Sequence, residues 1–155
     1  MGKEIERKFL VHADIWSNLE KPKGNLLRQG YLTTEPHKTI RVRATNDKGF
    51  ITIKGISIGA TRAEYEYEIP KSEAIELLDQ FAENEIAKIR YEISFESKIW
   101  EVDVFSGANE GLIVAEIELE SEQEVFTTPD WVAQEVTEDK RYFNSNLSLH
   151  PFKEW

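Results

Sequence analysis

The sequence of 155 residues predicts a mainly β domain of the α+β class, built from eight antiparallel strands. Apolar and polar residues alternate with a period of two in eight segments, whereas only a few short segments repeat at helical spacing. In nearly every strand segment, the positions that alternate with the apolar ones carry charged side chains. The sheet is therefore expected to have one apolar face and one charged face.

The strand boundaries follow this alternation and the turn residues between segments. Asn46–Gly49 indicates a hairpin between the third and fourth strands, and Ser106–Asn109 indicates a turn before the last strand. In chain order the predicted strands are 3–11, 26–34, 38–45, 49–56, 62–69, 85–95, 98–104 and 112–120. No linker and no repeat of solenoid period interrupts them, so we expect residues 1–155 to form a single domain.

Helices are expected to be few and short. The clearest carries apolar residues at helical spacing from Ala74 to Phe81, with Ser72 as its N-cap because serine is favoured there. Proline suits the first position of a helix, which predicts a helix start at Pro129. The remaining helical segments are Asp14–Leu19, Thr128–Val132 around that proline, and Arg141–Leu149.

The charged face contains separate acidic and basic rows. Glu116, Glu118 and Glu120 alternate with apolar residues in the last strand, as Glu4 and Glu6 do in the first. Carboxylates about 7 Å apart along a strand repel one another unless a cation compensates them. Basic residues concentrate on the middle strands: Arg41, Arg43, Lys54, Lys88 and Arg90. These rows predict a site for a divalent metal ion and for a polyanion with several phosphate groups in series.

The composition excludes several other classes of function. A formal net charge of −10 disfavours nonspecific binding to nucleic acid or to anionic membranes. The absence of cysteine rules out disulfides and thiolate metal sites. No apolar run approaches a membrane span and no signal-type segment follows Met1, so we expect a cytoplasmic protein. No nucleophile-elbow serine and no glycine-rich phosphate loop occurs.

Two architectures satisfy the alternation equally well. One is a curved open sheet, with helices on the apolar face and solvent on the charged face. The other is a closed barrel with a charged lumen and helices outside. Periodicity does not separate them, although the exposed edges of an open sheet would risk association between molecules and so favour closure.

Seven strand motifs and one C-terminal segment, taken in order, carry a family resemblance. They are Glu4-x-Glu6-x-Lys8, Ile40–Arg43, Thr52–Gly55, Arg62–Glu66, Lys88–Tyr91, Glu101–Phe105 and Ala115–Glu120, followed by Val136–Asn144. In this order they resemble the CYTH superfamily, the triphosphate tunnel metalloenzymes. The resemblance covers the whole chain and is strongest to the short bacterial inorganic triphosphatases.

The resemblance implies an eight-stranded antiparallel closed barrel with a charged lumen and helices packed outside, which hydrolyses inorganic triphosphate with Mg²⁺ or Mn²⁺. The residues implied to bind triphosphate are Lys8, Arg41, Arg43, Lys54, Lys88, Arg90 and Arg141. Those implied to bind the metal are Glu4, Glu6, Glu64, Glu66, Asp103, Glu116 and Glu118. Those implied to take part in catalysis are Glu4, Glu6, Lys88 and Tyr31.

Tyr31 resembles a tyrosine that often partners the family lysine matching Lys88, and we hypothesise that the pair contacts the terminal phosphate of free triphosphate. Other readings stay open beside triphosphatase. They are a class IV adenylyl cyclase, a thiamine or nucleoside triphosphatase, a non-catalytic polyphosphate-binding protein, and a domain whose charged face is merely solvated. A small-molecule triphosphate is the expected partner, with no nucleic acid and no membrane, and a homodimer is left open beside a monomer.

Overall fold

The computed structural model describes residues 2–155 and contains all eight predicted strands, within two residues at each end. A ninth, short strand follows them. The strands are β1 (Lys3–Val11), β2 (Asn25–Glu35), β3 (Lys38–Ala44), β4 (Gly49–Ile58), β5 (Thr61–Ile69), β6 (Asn84–Phe95), β7 (Lys98–Phe105), β8 (Ile113–Glu118) and β9 (Val132–Glu135). The helices are α1 (Ala13–Asn18), α2 (Lys71–Phe81) and α3 (Asn144–Leu149), with single 3₁₀ turns at Gly107–Asn109, Lys140–Tyr142 and Phe152–Glu154.

The first eight strands close into an antiparallel barrel. Around the barrel the order is β1, β5, β4, β3, β2, β6, β7 and β8, which returns to β1. The closing pair joins β1 to β5, where Glu4 lies opposite Arg62. Closure confirms the predicted barrel and shows that the open-sheet alternative was wrong. Since side chains alternate across each strand, closure turns the charged face into the lumen.

The helix predicted around Thr128–Val132 is not formed, so that prediction was wrong: residues 128–131 belong to neither a helix nor a strand, and β9 begins at Val132. Strand β5 pairs only with the first residues of β1, so the later part of the same β1 edge needs other backbone partners. Strand β9 supplies them, with Phe9 opposite Glu135 and Val11 opposite Val132. Pairing with β1 therefore accounts for the extended conformation from Val132 onward, the residue at which the predicted helix was to end.

The other helix predictions need smaller corrections. Helix α2 begins at Lys71 with Pro70 as its N-cap, so the prediction of Ser72 in that role was wrong. The carbonyl of Pro70 accepts hydrogen bonds from the amides of Glu73 and Ala74, both at 3.0 Å, which starts the helix earlier. The helix predicted over Arg141–Leu149 is divided into the 3₁₀ turn Lys140–Tyr142 and α3. No helix within residues 2–155 has the length and hydrophobicity of a membrane span.

Aromatic residues form the core outside the barrel wall. The indole of Trp100 on β7 is fully buried, at 0% exposure. Its ring centre lies 5.6 Å from that of Phe9, 5.9 Å from that of Phe126 and 5.8 Å from that of Trp131. Trp16 of α1 packs on Trp131 at 5.7 Å. This cluster fixes α1 and the segment before β9 against the wall formed by β1, β7 and β8.

A second apolar cluster covers one end of the barrel. Antiparallel pairing brings the ends of β1 and β7 beside the starts of β6 and β8. Side chains there are apolar, and Tyr142 and Leu147 from the C-terminal segment pack onto them. The members from the barrel are Leu10, Tyr31, Ile86, Phe105, Leu112 and Val114. The lumen therefore changes from charged to apolar along its length.

Replacement of Trp100 by alanine should destabilise the fold strongly. The loss of a fully buried indole leaves a cavity between three aromatic rings, and we expect about 3–5 kcal/mol lower free energy of unfolding. Denaturant titration measures the change. Val125→Ala is the control, because Val125 is 91% exposed and such changes usually stay within about 0.5 kcal/mol. A loss below about 1 kcal/mol for Trp100→Ala would contradict this account of the core.

Candidate active site in the barrel lumen

The lumen encloses a cavity of about 480 Å³ to which all eight barrel strands contribute side chains. Its acidic residues are Glu4, Glu6, Glu64, Glu66, Glu92, Glu101, Glu116 and Glu118. Its basic residues are Lys8, Arg41, Arg43, Lys54, Arg62, Lys88 and Arg90. Nearly all predicted site residues thus meet in one cavity, because their strand positions share the inward face.

Lys54 links two acidic residues across three strands. Its ammonium nitrogen lies 2.7 Å from Glu4 Oε1 and 3.9 Å from Glu64 Oε1. Burial alone would raise the pKa of Glu4, but the charge of Lys54 and the hydrogen bonds with Glu64 and Lys54 together outweigh burial and lower that pKa. For Glu64, burial and the hydrogen bond with Glu4 raise the pKa to about 7. The two carboxyl groups therefore differ in their affinity for a proton.

Glu6 forms no ion pair with a lysine or arginine among residues 2–155. It lies on β1 opposite Glu118 of β8, with Glu4 and Glu116 nearby. Burial, then the negative charges of Glu116 and Glu4, raise the pKa of Glu6 well above its usual value. Such a group gains stability either from a proton or from a cation at the same place.

Arg90 and Lys88 converge on the buried carboxylate of Asp103. Arg90 Nε donates to Asp103 Oδ1 at 2.7 Å, and the Lys88 ammonium lies 2.7 Å from Asp103 Oδ2. Burial raises the pKa of Asp103, but the two cations outweigh it and hold that pKa far below its ordinary value. Asp103 is not among the residues that line the cavity. This placement favours a role in orienting the two cations, and its assignment as a metal ligand stays a prediction.

Two guanidinium groups in the described part of the chain lack a carboxylate partner. Arg43 bonds to the amide oxygen of Gln29, and Arg62 bonds to the Gly55 carbonyl and the Thr39 hydroxyl. Burial, together with the neighbouring charge of Arg41, lowers the pKa of Arg43 to about 9. The group still carries its charge at neutral pH, and that charge is not neutralised by an acid.

The C-terminal segment contributes side chains to the cavity and one backbone carbonyl to Lys8. Asn144 Oδ1 accepts a hydrogen bond from Lys88 at 2.8 Å, and Lys8 donates to the Tyr142 carbonyl at 3.3 Å. The ring of Phe143 lies 5.4 Å from the Lys8 ammonium and 5.8 Å from the Arg62 guanidinium. The sequence placed Val136–Asn144 in the family resemblance but did not predict that Phe143 and Asn144 enter the cavity. No alternation in this segment shows which side chains point into the barrel.

Two predicted site residues, Arg141 and Tyr31, do not make the contacts that their predicted roles suggest. Arg141 is 63% exposed and pairs with Asp139 at 2.8 Å, outside the cavity. Tyr31 is buried and lines the cavity, but its hydroxyl accepts a hydrogen bond from Gln29 at 3.3 Å. Lys88 contacts Asp103 and Asn144 instead. The phosphate role of Arg141 and the pairing of Tyr31 with Lys88 therefore stay predictions.

Comparison with known proteins supports the order of motifs. Residues 2–149 match the CYTH domain family. This chain belongs to the CYTH family. An inorganic triphosphatase of Acetivibrio thermocellus is 54% identical over 99% of this chain and 97% of that protein. An inorganic triphosphatase of Nitrosomonas europaea is 38% identical over 94% of this chain and 97% of that protein.

Solved structures resemble this CYTH domain as well. The crystal structure of an inorganic triphosphatase has a TM-score of 0.65 at 34% identity, covering 94% of this chain and 97% of that one. A putative adenylate cyclase from Bacillus halodurans has a TM-score of 0.60 at 22% identity, covering 79% of this chain and 84% of that one. At that identity the second likeness shows a shared fold alone.

The CYTH domain without metal should lose stability as the pH rises from about 5 to about 7. The folded-state pKa of Glu64 is raised to about 7, above its value in the unfolded chain. Protonation of Glu64 therefore stabilises the folded state fully below the unfolded-state pKa, and this stabilisation is lost as the pH rises through the folded-state pKa. Glu6 acts in the same direction. We expect a lower melting temperature at the higher pH when a chelator is present.

Glu64→Gln should reduce this pH dependence, because glutamine does not titrate. Glu73→Gln on the exposed side of α2 serves as the matched control and should leave the pH dependence unchanged. A melting temperature that rises from about pH 5 to about pH 7 in the wild type would contradict the raised pKa values.

Proposed function

We propose that this CYTH domain hydrolyses inorganic triphosphate to pyrophosphate and phosphate inside the barrel. The observation that carries the proposal is the convergence of lysines and arginines from β1, β3, β4, β5 and β6 on one cavity of about 480 Å³. Such a lumen suits a compact, linear anion with several charges. Relatives named inorganic triphosphatase, matched over nearly their whole length, support the same substrate.

Arg43 and Arg62 are suited to make the first phosphate contacts. Neither guanidinium is paired with a carboxylate, so an incoming phosphate need not displace an acid from them. Arginine presents several N–H donors in a plane and binds phosphate oxygens in pairs. The remaining cations surround the same space and would share the other phosphates: Lys8, Arg41, Lys54, Lys88 and Arg90.

We propose that Mg²⁺ or Mn²⁺ binds between β1 and β8. Among residues 2–155 no three acidic or histidine side chains already lie in the geometry of a bound ion. The donor set nevertheless fits a hard cation, because its oxygens belong to carboxylates, and because burial and the charges of Glu116 and Glu4 disfavour an uncompensated Glu6 carboxylate. The residues that would hold the ion are Glu4, Glu6, Glu116 and Glu118, with Glu64 and Glu66 beside them.

When bound, the ion would neutralise phosphate charge and lower the pKa of a water molecule. The chain's own groups would do the rest. Water attacks a terminal phosphorus and the bridging P–O bond breaks, while the surrounding arginines and lysines stabilise the charge on the phosphate oxygens. Glu64, which lies beside the proposed ion, is suited to accept the proton of that water, because its pKa is raised to about 7.

Removal of one carboxylate from the proposed metal set should abolish turnover without unfolding the barrel. For Glu118→Gln we expect at least about a hundredfold lower kcat/KM on triphosphate. Phosphate release in Mg²⁺ and in Mn²⁺ measures it, with the unfolding temperature as a check on the fold. Glu73→Gln on α2 should keep full activity. Full activity of Glu118→Gln would contradict the assignment of Glu118 to the metal site.

The same assay separates the remaining functions. Faster turnover of ATP or thiamine triphosphate than of free triphosphate would favour a nucleoside or thiamine triphosphatase. Cyclic AMP among the products of ATP would favour a cyclase, and tight binding without turnover would favour a polyphosphate-binding protein. A cytoplasmic location, the absence of nucleic-acid and membrane partners, and a homodimer stay predictions from the sequence.

The metal ion should also raise the stability of the wild type. A ligand that binds only the folded state adds about 2.7 kcal/mol at a hundredfold excess over its Kd. We expect Mn²⁺ without substrate to raise the melting temperature, and the rise to shrink in Glu6→Gln. Glu73→Gln should show the full rise. An equal rise in wild type and Glu6→Gln would place the ion elsewhere.

A further inference from the structure

Gln29 is a neutral side chain buried among the charges of the lumen wall. It lies on β2 with 0% exposure. Its amide oxygen accepts from Arg43 Nε at 3.0 Å and from Arg43 Nη2 at 2.8 Å, while its amide nitrogen donates to the Tyr31 hydroxyl at 3.3 Å. Arg43 and Tyr31 both line the cavity. Gln29 therefore joins two residues that face the substrate space.

The donor and acceptor groups of Arg43, Gln29 and Tyr31 determine which atom donates in each hydrogen bond that joins them. Arginine has only donors, so the amide oxygen of Gln29 must face Arg43 and its amide nitrogen must face Tyr31. The two donors of Arg43 occupy both lone pairs of that oxygen. The Tyr31 hydroxyl must therefore accept from Gln29, and its own hydrogen is left to be donated elsewhere. Because Tyr31 lines the cavity, this hydrogen is available to a ligand there.

The neutrality of Gln29 also preserves the charge of Arg43. Arg90, by contrast, is bound by the carboxylates of Asp103, Glu101 and Glu116. The amide of Gln29 holds the guanidinium at two of its five N–H groups and cancels none of its charge. The other three N–H groups remain for an anion.

We propose that Gln29 is a positioning residue that directs the Tyr31 hydroxyl and the Arg43 guanidinium, both as donors, at the phosphate oxygens of the substrate. The inference rests on the proposed triphosphatase function. It assigns Gln29 no contact with the reacting atoms. Its effect passes through the hydrogen-bond direction at Tyr31 and through the unneutralised charge at Arg43.

Gln29→Glu tests both effects, because it keeps the size of the side chain and changes only charge and hydrogen-bond direction. The new carboxylate, ionised beside Arg43, would neutralise the guanidinium and would accept the Tyr31 hydrogen that now faces the cavity. We expect kcat/KM on triphosphate to fall about a hundredfold or more, mainly through KM, since hydrogen bonds to charged groups contribute most to binding. Gln29→Met, which removes the amide without adding charge, should cost only about tenfold.

A double-mutant cycle with Tyr31→Phe distinguishes positioning from a packing role. In the wild type, Tyr31→Phe should cost about tenfold, because one donor to phosphate is lost. In the Gln29→Glu background the same change should cost less than about twofold, because the hydroxyl no longer donates to the cavity. Gln80→Glu, an equal charge change on the exposed side of α2, should leave activity unchanged.

Each outcome decides the inference. Equal losses for Gln29→Glu and Gln29→Met, or a full tenfold loss for Tyr31→Phe in both backgrounds, overturn it while wild-type triphosphatase activity stands. If the wild type binds triphosphate without turnover, the proposed function fails, and the same cycle run on calorimetric Kd values decides the role of Gln29. If the wild type neither turns over nor binds triphosphate, both proposals fail.

Discussion

The closure of the barrel between β1 and β5 is the constraint on which the rest of the structure depends. Once Glu4 lies opposite Arg62 and the sheet has no open side there, every charged residue of the inner face must find partners within the lumen. Burying a charge without a partner is costly, and even a paired one recovers its lost hydration only with good geometry. The lumen is therefore a network of opposite charges, in which Lys54 bridges Glu4 and Glu64 and Arg90 joins three acids.

The network is incomplete at the places where a substrate and a metal ion are proposed to bind. Burial, and then the negative charges of Glu116 and Glu4, raise the pKa of Glu6 more than the nearby lysines lower it. Arg43 and Arg62 are bound by neutral acceptors, so their positive charge stays available. The same burial that makes these charged groups unfavourable on their own would strengthen their interaction with a cation and a polyphosphate, because the local dielectric is low. The side chains that lower the stability of the fold are thus the ones expected to strengthen ligand binding.

Residues outside the eight strands complete the site. Strand β9 covers the edge of β1 that β5 leaves open, and the segment after it brings Phe143 and Asn144 into the cavity. Tyr142 and Leu147 close the apolar end of the barrel beside the buried Lys88. Phosphate-binding residues would then be held by contacts that span nearly the whole chain, from Lys8 to Asn144.

The sequence by itself determined the strands, their charged and apolar faces and the family, since period-two alternation depends only on local order and the seven strand motifs occur in the order of the family. It placed Glu4, Lys54 and Arg90 on one charged face because alternate positions of a strand share a face, and the family resemblance implied that this face lines a lumen. Only the tertiary structure decided which charges are compensated. Asp103 is held behind Arg90 and Lys88, Arg141 lies outside, and Gln29 joins Arg43 to Tyr31. Alternation assigns a face to each residue, but the partner within that face depends on strand order, register and tilt, which local sequence does not encode.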